Sequence, residues 1–300
     1  MKKKTYLIAL MAMALTLGSC SDNENGIGGE TSKYITVSTS IGNMTRVATD
    51  ANGGQTFEEG DEISVYAWIG APTVAPETRE RVVNNAINKL TNGSWVATPQ
   101  MLWKNNRDKH YFIGVYPTAA ISDFTAGEYK LDVAKQEDSD LLVAVNKDGI
   151  SYNADEQQTV PLTFTHVMAK LAVNLTYKNQ WGGIPTVEKV VVGNAAKEAT
   201  INYLTKVVTP STTAKEDFSL PEITENTKYV SVIIPQEDVK QLTIVIGGKN
   251  FVYDNGTPFK LESGKITTVN LEVGRDEIKL GDVKITNWED GSTFSGEALN

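Results

Sequence analysis

The 300-residue sequence predicts an all-β protein. Three observations carry that expectation: short apolar runs rich in β-branched residues recur along the chain, the clearest alternates with period two, and Gly, Pro, Asn and Asp punctuate the intervals. This spacing favours antiparallel sandwiches over a parallel α/β sheet, and two sandwiches fit the length.

The elements follow in order. From Tyr34, residues Ile35, Val37, Thr39 and Ile41 face one side and Thr36, Ser38 and Ser40 the other, until Gly42-Asn43 ends the strand. Further runs lie at Ile63 to Ile69, Tyr111 to Tyr116, Leu141 to Val145 and Leu171 to Tyr177. Others follow at Val187 to Val192, Tyr229 to Ile234, Leu242 to Ile246 and Val269 to Val273. One stretch competes for helix: in Pro76 to Leu90, residues Val82, Val83, Ala86, Ile87 and Leu90 recur at spacings of three and four, although Asn84 and Asn85 weaken the pattern. Thr159 to His166 is the expected junction, dividing the folded part into residues 34–160 and 161–300.

Composition narrows the function. The formal charge is −9, and a chain without residues 1–19, which hold Lys2, Lys3 and Lys4, carries −12, so duplex nucleic acid is a poor partner. Two histidines, His110 and His166, and a single cysteine, Cys20, leave no clustered His or Cys metal site and no CxxC redox pair. No cofactor is implied. No G-x-S-x-G, H-E-x-x-H or G-x-x-x-x-G-K-[ST] motif occurs, which argues against an enzyme.

The start of the chain reads as an export signal. Lys2 to Lys4 precede the apolar run Tyr6 to Leu17, too short for a bilayer of about 30 Å but suited to a signal core. Leu17-Gly18-Ser19-Cys20 resembles the lipobox of bacterial lipoproteins, which makes residues 1–19 the signal peptide and Cys20 the acylation site, a palmitate-bearing one. Residues 20–33 form a polar tether, and Ser21-Asp22-Asn23-Glu24-Asn25 is similar to the acidic stretch that sends lipoproteins to the outer face of the outer membrane in Bacteroidetes.

Short signatures then recur in a familiar order. They are Thr45-Arg46 after the first strand, Phe57-Glu58-Glu59-Gly60-Asp61-Glu62-Ile63-Ser64-Val65-Tyr66, an aromatic series of Trp95, Trp103 and Tyr111 to Pro117, Asp140 to Ala144, Leu162 to Leu171, Ile233 to Gln236, and Ile285-Thr286-Asn287-Trp288. In this order, behind a lipoprotein signal, they resemble the fimbrillin family, precursors of type V pili in Bacteroidetes. The resemblance implies two tandem transthyretin-like β-sandwich domains and a strand, not a helix, near Ala86 to Leu90. It also implies a structural, tip or accessory pilus subunit whose partners are other pilus subunits, with proteolytic processing at Arg46. Before processing the protein would sit on the outer membrane through Cys20, facing outward; afterwards it would belong to the fimbrium, where a host or bacterial surface ligand is a further partner.

Cutting at Arg46 would free the first strand and leave a groove that a strand from another subunit can fill. The candidate donor is the C-terminal segment, where Ile278 and Leu280, then Val283 and Ile285, alternate in two phases that switch at Gly281-Asp282. The alternative is a stand-alone outer-surface lipoprotein that binds glycan or host protein. The remaining candidates have structural readings: His166 as a buried, hydrogen-bonded histidine, Asp61-Glu62 and Glu137-Asp138-Ser139-Asp140 as solvated loop charge, and Trp68, Trp95, Trp103 and Tyr111 as core.

Overall fold

The computed structural model describes residues 33–42 and 56–288. Cys20 and Arg46 lie outside these residues. The first half holds β1 (Thr36–Ile41), β2 (Glu62–Ile69), β3 (Arg81–Thr91), β4 (Ser94–Thr98), β5 (Lys109–Tyr116), β6 (Gly127–Lys130), β7 (Leu142–Ser151) and β8 (Thr159–His166). The second holds β9 (Ala169–Tyr177), β10 (Val187–Ala196), β11 (Glu198–Asn202), β12 (Val207–Pro210), β13 (Lys215–Ser219) and β14 (Glu222–Thr224). It ends with β15 (Lys228–Ile233), β16 (Gln236–Ile246), β17 (Lys249–Leu261), β18 (Lys265–Val273) and β19 (Ile278–Asn287). A single helical turn, α1 (Gln136–Ser139), precedes β7.

Seven strands of the first half make one sheet in the order β1-β8-β7-β5-β2-β3-β4. The second half contributes a five-stranded sheet, β14-β15-β9-β18-β19, and a four-stranded one, β13-β10-β16-β17. A three-stranded sheet, β12-β11-β6, ties the halves together, since β6 comes from the first and β11 from the second. β8, at the expected junction, belongs to the seven-stranded sheet over its whole length. Two pairings depart from the antiparallel expectation: β1 lies parallel to β8, and β9 parallel to β18. Both join strands far apart in the chain, where a tight hairpin cannot set the direction.

Burial explains why these segments became strands. In β2 and β5 six consecutive residues are buried, because the seven-stranded sheet is covered on both faces. One face carries Ile63, Val65, Phe112, Leu162 and Phe164 together with Val37 and Ile41 of β1. The opposite face carries Tyr66, Trp68, Ile113 and Val143 and continues into the core of the second half. Hairpins form where the chain can take positive φ: Asn92-Gly93 joins β3 to β4, and Gly247-Gly248 joins β16 to β17.

The helix considered over Pro76 to Leu90 is corrected: Thr78–Glu80 form one 3-10 turn and Arg81–Thr91 is β3. Its register against β2 breaks between Val65 and Ala67, and Asn85 adopts φ 56°. The bulge puts Val83 and Ala86 on buried positions three apart, a spacing that imitates a helix. The strand suggested by the family resemblance is present and longer than Ala86 to Leu90.

Candidate assembly interface

β1 is one edge of the seven-stranded sheet, and its sequence alternation is its burial pattern. Ile35, Val37 and Ile41 are buried, while Thr36, Ser38 and Ser40 are not. Its six residues pair with β8 from Thr36↔Thr159 to Ile41↔Phe164, and the Gly42 N–H donates to Phe164 O at 2.8 Å. Hydroxyls line the outer face, where Ser40 donates to Thr163 at 3.2 Å. On its other side the strand start touches a later segment: Ile35 N–H donates to Met101 O at 3.0 Å, and Trp103 N–H to Lys33 O at 3.2 Å.

The other edge of that sheet, β4, comes round to meet β1. Trp95 Nε1–H donates to Thr39 Oγ1 at 3.0 Å, the side-chain link between the two edges. Beneath it Phe57 makes edge contacts with Trp95, Tyr116 and Phe164, centroids 5.3, 5.3 and 5.1 Å apart. The acidic run before β2 is structural, and more ordered than a solvated loop. Asp61 Oδ2 accepts the Glu58 N–H at 2.7 Å, Glu59 accepts the Asn92 N–H at 2.7 Å, and Glu62 pairs with Lys89 at 3.2 Å.

The second candidate element, β19, closes the five-stranded sheet by pairing antiparallel with β18. The phase switch at Gly281-Asp282 is a β-bulge. Val269 faces Val283 and Leu271 faces Leu280, so two residues on β19, Gly281 and Asp282, oppose one on β18, Asn270, whose Nδ2 holds the bulge by donating to Asp282 Oδ1 at 2.6 Å. Ile278, Leu280, Val283 and Ile285 therefore stand opposite Val273, Leu271, Val269 and Thr267, all four buried. Yet Leu280, Val283 and Ile285 are 36, 40 and 39 % exposed.

β19 is pinned at both ends. Before it, Lys178 pairs with Glu277, Gly274 N–H donates to Glu277 O at 2.8 Å, and Arg275 lies over Trp181 at 5.4 Å. After it, Trp288 is buried between His166, stacked at 4.0 Å, and Lys170 Nζ, 4.0 Å from the ring centroid. His166 in turn bonds Asp140 Oδ1 through Nδ1 at 2.8 Å. The histidine is thus buried and hydrogen-bonded as expected, whereas Asp140, read as solvated loop charge, is its partner. Trp288 was visible in the sequence only as part of a motif; its contact with His166 had no local signal.

His110 is fully buried, with Nε2 accepting the Lys104 N–H at 3.1 Å and the ring edge-on to Trp103 at 5.0 Å. Burial pushes its pKa below the usual imidazole value, against the opposing influence of Asp108. Trp68, Trp103 and Tyr111 are buried, and Trp95 is half-buried at the rim. Among the described residues no group of three or more His, Cys, Asp or Glu is placed to hold a metal ion.

Comparison with known proteins fits this arrangement. The family model described as fimbrillin-like matches residues 45–288. Similar solved structures include a candidate cell adhesion protein from Bacteroides uniformis, 18% identical, covering 85% of this chain and 99% of that one with a TM-score of 0.65. Another from Bacteroides ovatus is 18% identical, with 85 and 98% coverage and a TM-score of 0.62. The tip fimbrial protein Mfa3 from Porphyromonas gingivalis, with its C-terminus truncated, is 12% identical, with 77 and 95% coverage and a TM-score of 0.50. No curated protein matches.

Proposed function

The chain belongs to the fimbrillin-like family, and from that premise we propose that it is exported as a lipoprotein and assembled into a surface pilus by strand exchange. It is a structural, non-enzymatic subunit of the fimbrial cell-surface type, and its partners are other fimbrial subunits. On this reading Cys20 carries the lipid that first holds it, outward-facing, on the outer membrane. A protease cuts after Arg46, β1 leaves, and β19 of another subunit takes its place. Residues 34–160 supply the groove and 161–300 the donor, with β8 at the boundary lending its edge to the groove.

The observation that carries this reading is the way β1 is held. It is an edge strand that, with Ile35 ahead of it, turns three apolar side chains inward; among the described residues Thr36–Ile41 pair by backbone with β8 alone, Ile35 adding one bond to Met101, and it ends just ahead of Thr45-Arg46 in the sequence. Its loss would uncover Leu162 and Phe164 and leave the amides of β8 unpaired, two deficits that one incoming strand repairs. Three or four inward apolar residues at about 1.5 to 3 kcal/mol each make such a joint worth several kcal/mol before ordering costs. Arg46→Ala tests it: the variant should accumulate as lipidated monomer, and SDS-resistant ladders of normal length from that variant would refute the processing step.

A further inference from the structure

Resting on the strand-exchange reading above, we infer that the β1 groove selects its incoming strand by a hydrogen bond from Trp95 at the third of four inward positions, and that Asn287 of a second copy supplies the acceptor. The segment now in the groove presents Ile35, Val37, Thr39 and Ile41 inward. Three of these places are apolar; the third is polar because the Trp95 indole N–H points at it and is satisfied by Thr39 Oγ1. A replacement strand with an aliphatic residue there would bury that N–H without a partner, whereas an acceptor would reproduce the native contact.

The order apolar, apolar, acceptor has a direction. Running parallel to β8 as β1 does, residues 278–287 offer it twice: Ile278, Leu280, Asp282 and Val283, Ile285, Asn287. The first would drive a carboxylate into a half-buried rim beside an aromatic cluster and forfeit its solvation. The second places a neutral amide whose carbonyl oxygen can accept from the indole and whose size is near that of threonine. Run in the opposite direction, no frame of residues 278–287 places two aliphatic residues and then an acceptor in that order. The register is thus Val283 on the Ile35 place, Ile285 on Val37 and Asn287 on Thr39, apart from the Ile41 place at the end of the groove, which the sequence would give to Glu289 and which a peptide ending at Trp288 leaves empty.

The experiment uses the purified full chain, cut at Arg46, and labelled peptides of sequence 278–288, with binding read by fluorescence anisotropy. The unaltered peptide should bind about tenfold more tightly than its Asn287→Leu form. Asp282→Leu in the peptide should not weaken it. With Trp95→Phe protein, which keeps the ring and removes the donor, the two peptides of the first pair should bind alike. Equal binding of those two to the unaltered protein, or loss on Asp282→Leu instead, overturns the register while leaving strand exchange standing. Failure of every peptide to bind a protein that has shed β1 overturns strand donation by β19 and the register with it.

Discussion

Trp288 lies flat on His166, ring centroids 4.0 Å apart and planes within 7° of parallel. The contact joins the residue after the last strand to the last residue of β8, the strand that also holds β1. β1 pairs along Thr159 to Phe164 of β8 and Trp288 stacks on its last residue, so both elements of the proposed exchange rest on one strand.

Trp288→Ala removes this stack and the Lys170 contact on the ring. The expected cost is about 3 kcal/mol in urea denaturation. Hydrogen exchange should rise first at Thr286 and Asn287, ahead of the rest of the five-stranded sheet.

Gly114 sits mid-strand in β5, where an added Cβ would stand 2.6 Å from Phe164 Cζ and 3.2 Å from Leu162 Cδ1. Both are residues of β8, beside β1 in the sheet. Gly114→Ala should destabilise the protein by about 1–3 kcal/mol through overpacking, measured by the same denaturation.

His110 gives a pH dependence whose sign follows from its lowered pKa. The unfolded chain takes up a proton near pH 6.5 that the buried ring refuses, so its contribution to stability is complete above about 6.5 and declines as pH falls, by up to about 1.4 kcal/mol per unit. His110→Phe should show a shallower loss between pH 7.5 and 5.5 than the parent, with the shared carboxylates cancelling in the comparison.

Val283→Asp combined with Ile285→Asp tests the donor row. Both side chains are about two-fifths exposed, so the monomer should stay folded at a combined cost of about 1–2 kcal/mol. Pilus length on negatively stained cells should collapse; pili of the parent's length would remove β19 as the donor.

The sequence discloses strands in proportion to how apolar they are. β2, β5 and β9 are legible because burial on both faces makes them nearly continuous apolar runs. β17 is not, because Asp254, Gly256 and Pro258 interrupt it at an edge of its sheet where polar groups cost little. β3 misleads because its bulge at Asn85 trades a period of two for a spacing of three. The candidate donor row shows the same effect in reverse. Its switch of phase looks like a defect in the sequence, and the bulge at Gly281-Asp282 turns it into one apolar face. The contacts Trp95 to Thr39 and Trp288 to His166 join residues with no local relation, and no periodicity can reveal them.

The parallel pairing of β1 with β8 has a consequence for the order in which the chain is laid down. Thr36 meets Thr159 across 123 residues, so the earliest of these strands to leave the ribosome finds its partner only after seven others have been made. Closing so long a loop is entropically expensive, and the contiguous run from β8 to β4 is hydrogen-bonded without it. On that count the first of the described strands should join last, as an edge added beside a sheet already paired, and the same edge position lets it depart without breaking the pairing of the others.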